Sequence, residues 1–446
     1  MRIRKRKEMS ALTADLGILS KIKGIIIRRS VLDGVLLCVA YFLPLLAVKD
    51  QNVLTAVSLL YLCFFVYFAF SDWFCAFYPI LFFFYDYLVA PGDIVVYRVY
   101  TVIFLLRFVY IHFGRGIKNL SLSRIGLALF MLGYAAFFFV SGRAVGIGVL
   151  IDLIFMLSFI CEIRESSEAF SGFCIAFVAA AAVSGAVGFF LDRSDAASLL
   201  NNRYLATLND PNYLGFYINV GIIIVFLHPF FKRLIFKLPA LAVLYLVLLA
   251  SESMTGVICN VLIVLFCALS LAFMKRLKLR YMLTLVLVFV VAIQMLLLAS
   301  SNDWGILTSA SQRILTKLEE FASGNIEAFT TTRSLLWDIN IEKFLSLSEW
   351  EVIFGGSFLS AVGRDTMFFE QTSHQEFLDV LICTGAVGLI VYLMTVVFAL
   401  SGDIAKLCRD GEELDWIRLG VKLIWLFYAF GLTMFLNSRF YILFLL

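Results

Sequence analysis

Apolar runs recur along most of the chain, broken by short polar stretches. A helix needs about 20 predominantly apolar residues to cross the hydrocarbon core of a bilayer. Runs near 31–48, 53–70, 73–90, 94–113, 125–141, 145–163, 170–191, 212–230, 234–250, 254–274, 281–299, 377–400 and 417–436 approach that length and predict helical spans. An apolar tail, 440–446, is too short to cross by itself; it dips in or completes a last span with the residues before it. The pattern predicts an all-α, polytopic transmembrane helix bundle of about 12–14 spans. Two longer polar segments interrupt it, 192–211 and 300–376.

The second segment is too long for a plain connector. Ile314, Leu315, Leu318 and Phe321 make one apolar stripe, and Leu336, Ile339, Lys343 and Phe344 repeat at helical spacing. Short helices are expected there, lying on the membrane surface, closing over a cavity at membrane level, or both.

Composition agrees with the pattern. The chain is 62% hydrophobic and 15% charged, outside the range of soluble domains. Residues 1–446 are therefore expected to form one integral membrane domain, with no separate soluble unit. The nine cysteines lie mostly in apolar runs and not in the two long loops, which argues against disulfides or a cysteine metal site. The basic segment 1–30, with Arg2, Arg4, Lys5, Arg6 and Lys7, precedes a first span with no small-residue cleavage site.

Basic residues in cytoplasmic loops set orientation. With the N-terminus inside, the inner segments hold 24 of the 36 Lys and Arg. Loop 300–376 then lies outside, with five basic residues (Arg313, Lys317, Arg333, Lys343, Arg364) against eleven acidic ones. Both long loops face the same non-cytoplasmic space.

Each of these loops runs into a span whose N-terminus points outward. Asp210 suits an N-cap and Pro211 the first helical position. Ser373 and Glu376 have capping-box spacing, which would put His374 in the first turn. Such N-termini attract anions, although Asp210 and Glu376 offset part of that attraction.

His374 is one of three histidines and the one expected outside. Its imidazole suits removal of a proton from a hydroxyl; the alternative is an ordinary loop histidine. Arg203 and Arg333 can each grip phosphate through two parallel N–H bonds; the alternative is solvated charge. Glu252, at the outer end of a span, is placed to line the same space. Asp33, Asp86, Arg98, Arg107, Asp152, Asn260 and Asp379 fall within spans and should face the bundle interior. No Gly-Lys-Ser/Thr phosphate loop, HExxH or nucleotide-binding domain is present, so an ATP-driven pump or a nucleotide-sugar transferase finds no support.

Two motif groups resemble the O-antigen polymerase and ligase superfamily of bacterial inner-membrane proteins. The first is Arg203 followed by Asp210-Pro211-Asn212-Tyr213-Leu214-Gly215. The second is Arg333…Trp337, Ile353-Phe354-Gly355-Gly356, His374-Gln375-x-x-Leu378, Gly385 and Gly388. The likeness covers roughly 200–390; Gln375 stands where asparagine is usual, and Met254 where many members carry arginine.

The resemblance implies a glycosyltransferase-C-like fold and a metal-independent glycosyltransferase with no cofactor. Its donor would be a polyprenyl-diphosphate-linked oligosaccharide at the outer face of the inner membrane. It assigns catalysis to His374, Arg203 and Arg333. Substrate binding would fall to Asp210, Asn212, Trp337, Gln375 and Glu252. Membrane lipid and a polysaccharide chain-length regulator are the implied partners, with no nucleic acid. A polymerase building O-antigen or capsule is the first expectation. The alternatives are a ligase that transfers glycan to lipid A-core and a lipid-linked oligosaccharide flippase.

Overall fold

The computed structural model describes residues 31–47, 51–88, 166–190, 210–274, 306–325, 333–355 and 374–432, with short pieces at 103, 106–107, 159–160, 162–163, 206–208, 294, 434 and 443–444. Arg203, Arg98, Ser373, Arg364 and most of the expected spans 94–113, 125–141, 145–163 and 281–299 lie outside these residues, as does most of the tail.

Among the described residues the chain is all-α, with no strand. In chain order the helices are α1 (Val31–Leu46), α2 (Gln51–Ala69), α3 (Phe74–Phe77), α4 (Pro79–Leu88), α5 (Ser167–Phe190), α6 (Pro211–Leu227) and α7 (Leu234–Ala250). There follow α8 (Met254–Phe273), α9 (Ile306–Ala322), α10 (Arg333–Leu345), α11 (Glu349–Phe354), α12 (Glu376–Asp410) and α13 (Glu413–Ala429). Segments Ser167–Gly188, Met254–Phe273 and Thr384–Asp410 are long and apolar enough to cross a membrane, and five shorter apolar helices accompany them.

Helix α6 is the hub. It packs against α5, α7, α8 and α13, and its residues are buried on all sides except at Tyr213. An all-round apolar helix needs such an interior position. Its ends are written locally. Asp210 accepts the Asn212 N–H at 2.6 Å, and Pro211 occupies the first turn. At the other end His228 is extended ahead of Pro229, as a residue before proline prefers. Gly420 of α13 lets three helices approach closely: a Cβ there would lie 2.5 Å from Ile223 and 2.7 Å from Phe266. Much of the phenylalanine forms an edge-to-face cluster between α3, α4, α5 and α6, around Phe74, Phe82, Phe173, Phe177 and Tyr217.

At the end where α6 finishes and α13 begins, Lys232 pairs with Glu413 at 2.9 Å. Asp415 there accepts from Lys406 at 2.8 Å and Arg418 at 3.0 Å, and Lys422 pairs with Asp403. The opposite end gathers the N-termini of α6, α8 and α12.

Three local expectations need correction. The run 73–90 is two helices, parted at Tyr78 ahead of Pro79. The N-cap of α12 is Gln375, whose side chain accepts the Leu378 N–H at 2.7 Å, and not Ser373 in a capping box. His374 therefore precedes the helix instead of sitting in its first turn. Lastly, the run 377–400 is not one continuous span, because α12 breaks at Gly385 (φ 68°, ψ −174°). Tyr392 donates to Glu376 at 2.7 Å, 16 residues away. In a straight helix they would be about 24 Å apart. The limb before Gly385 must fold back along the limb after it.

Candidate functional site

The N-terminal ends of α6, α8 and α12 meet beside the first turn of α10 and the last turn of α13. Ser253, the N-cap of α8, donates to the Asn212 side chain at 2.9 Å and accepts the Gly256 N–H at 3.1 Å. Glu376 is fully buried; its carboxylate accepts from Tyr392 and from the backbone N–H of Met434 at 2.5 Å, which ties α12 to the segment after α13.

Arg333 opens α10 and reaches across to α13. A Cβ on Gly431 would lie 3.2 Å from its Nη1 and 3.8 Å from Thr255. The lack of a side chain at 431 thus makes room for the guanidinium. The C-terminal end of α13 also favours a cation.

The charges of Arg333, Asp210, His374 and Asp379 act on one another. Burial lowers the proton affinity of His374 below the usual histidine range, and Arg333 lowers it further; Asp210 and Asp379 pull it back up. Burial also lowers that of Arg333, against the charge of Asp210. Guanidinium nonetheless keeps its proton near neutrality. A neutral imidazole, a fixed cation and the positive ends of helices together suit an anion and a hydroxyl acceptor.

Backbone conformation marks the same end. The non-glycine residues of positive φ among those described are Ala206, Glu252 and His374, at 51°, 52° and 54°. Glu252 and His374 each immediately precede an N-cap, and Ala206 leads toward α6. Each such residue costs about 1–3 kcal/mol, and strain of this kind collects where function holds it.

Of the residues singled out from sequence, Asp210, Asn212, Arg333, His374 and Gln375 come together here. Glu252 is adjacent, 5% exposed, with Arg313 of α9 at 3.8 Å. Trp337 lies one turn beyond Arg333, and its buried indole N–H has no hydrogen-bond partner among the described residues. Arg203 is outside those residues.

Several contributors were not assigned a role from sequence. Asp379 stood only as a polar residue within a span. Asn219 and Tyr428 form a second polar layer below the first: Asn219 donates to the Gly256 carbonyl at 2.9 Å and to Tyr428 at 3.2 Å, and accepts from Asn260 at 3.1 Å. A signal existed. Asn212 and Asn219, like Ser253 and Asn260, are seven residues apart, two turns along one helix face, roughly 10.5 Å.

No protein-family model, curated protein or solved structure matches this chain.

Proposed function

We propose that this chain is a polytopic glycosyltransferase of the bacterial cytoplasmic membrane, with its N-terminus inside. In this reading it polymerises polyprenyl-diphosphate-linked oligosaccharide units into a surface polysaccharide at the outer face. The observation that carries the reading is the meeting of Arg333, His374 and Asp210 where three apolar helices begin. A lipid-linked donor suits that place: its tail lies in the bilayer, its diphosphate at the interface and its sugar outside.

The reaction needs no group from outside. A hydroxyl of one lipid-linked unit attacks the anomeric carbon of another, and its proton passes to His374. The bond from that carbon to the diphosphate oxygen breaks, and the lipid diphosphate leaves. Arg333, with Arg203 as the second cation of the proposal, holds the diphosphate and stabilises charge growing on the leaving oxygen. Asn212 and Gln375 flank the anion, and Trp337 offers an indole face to the glycan.

Purified protein supplied with lipid-linked repeat units tests this. Longer lipid-linked chains are the expected product; transfer seen only with a lipid A-core acceptor identifies a ligase. In cells, His374→Ala should leave single lipid-linked units accumulated outside. Accumulation inside identifies a flippase.

The lowered proton affinity of His374 fixes a pH dependence. A base works when neutral, so activity should persist below the ordinary histidine value of 6.5 and fall only as pH drops through the lowered one. Asp379 raises that value, so Asp379→Asn should move the acid limb of the pH–rate profile to still lower pH. A limb that moves upward, or does not move, contradicts the assigned geometry.

A further inference from the structure

We propose that α11 is a lipid anchor: Trp350, Ile353 and Phe354 insert at the outer membrane interface and hold the loop bearing Arg333 at a fixed height over the bilayer. The proposal rests on the membrane placement argued above and adds a function for a segment the chemistry does not use.

Three observations lead there. First, large apolar side chains stand uncovered on a short, well-capped helix: Trp350 is 67% exposed, Phe354 43% and Ile353 41%. The rings of Trp350 and Phe354 stack at 5.8 Å with 12° between planes, so they form a preformed slab. Second, one of the two acidic groups in its first turn is already engaged. Glu351 is occupied in a capping box with Ser348, closed in both directions at the helix start.

The third observation identifies the occupant. Helix α11 packs on α12, with the Ile353 carbonyl and the Gly355 N–H directly at Gly385. Beyond Gly385, α12 is a membrane-length apolar segment of which 22% is buried within the protein. Its exposed side carries Val387, Ile390, Met394 and Val397. The α11 slab therefore lies at the head of a segment whose exposed stripe already needs lipid along its length. Tryptophan at the end of such a segment matches the aromatic belt of membrane proteins. A protein partner on α11 alone would leave the stripe unexplained. The anchor also gives Gly385 a second meaning, since it joins the anchored helix to the limb that presents His374.

Emission from the full-length protein in vesicles tests this, using acyl chains brominated either near the headgroups or near the bilayer centre. The chain has six tryptophans, so the difference between wild type and Trp350→Phe isolates the relevant one. The expected difference component is blue-shifted, strongly quenched by headgroup-proximal bromine and weakly by central bromine. A water-like component open to an aqueous quencher overturns the proposal. So does a component shielded from both bromine positions and from the aqueous quencher, which would mean a second copy or a protein partner covers α11. Extraction of the whole chain from vesicles by carbonate would overturn the membrane placement as well. Loss of the glycosyltransferase reading alone would leave the quenching pattern unchanged.

Discussion

Replacing Arg333 with alanine is expected to slow chain elongation by about 10²–10³, the loss that follows removal of one well-placed donor to a developing anion, roughly 2.7–4 kcal/mol. The size follows from position. Arg333 is half-buried, lies against the space left by Gly431, and acts electrostatically on His374 and Asp210. A surface arginine facing water would have far less effect. Arg333→Lys should recover part of the rate, because charge remains while the two-pronged geometry is lost. The decline should fall mainly on kcat, since charge on the leaving oxygen grows in the transition state. The measurement is elongation of purified lipid-linked units by the purified variant, with its melting temperature as the control for folding. A variant that elongates at wild-type rate removes Arg333 from the chemistry. Removing the cation also relieves His374, so residual activity should show its acid limb at higher pH than wild type.

Gly385→Ala should be the most damaging change of a single methyl group. The residue holds φ 68°, where an L side chain costs about 1–2 kcal/mol. The added Cβ would lie 2.3 Å from the Ile353 carbonyl oxygen and 2.5 Å from the Gly355 nitrogen. Both are backbone atoms and neither can swing aside, so overpacking adds about 1–3 kcal/mol. The break in α12 and the docking of α11 should be lost together, and with them the contact between Glu376 and Tyr392. Melting temperature in detergent and elongation activity should both fall. Gly402→Ala, the same change on the same helix with nothing within 4 Å of the new atom, should be tolerated. Equal behaviour of the two variants would mean that the break at Gly385 does not support the site.

Much of the helix pattern was legible because its signals are local. The run 234–250 is α7 to the residue, 254–274 runs one residue past α8, and 212–230 begins one residue after the start of α6 and runs three past its end. Asp210-Pro211 announces a helix start by chemistry that needs no neighbour. The loop stripes at Ile314–Phe321 and Leu336–Phe344 lie in α9 and α10 for the same reason.

Less of the site was legible. Ser373 and Gln375 both carry an oxygen able to accept an N–H, and the choice between them is made by the turn at His374. A glycine in an apolar run is common in spans, so nothing before or after Gly385 announced a break. That break depends on Ile353 and Gly355, some thirty residues earlier.

Sequence alone determined that the chain is helical, where most described helices begin, and which residues have side chains suited to phosphate and proton chemistry. Those properties follow from hydropathy, capping and side-chain type within a few turns. Only the tertiary structure decided that α12 folds back, that Gly431 makes room for Arg333, and that the charges of Arg333 and Asp210 act on His374. Each requires segments distant in the chain to share one small volume, and no local free-energy preference encodes that proximity.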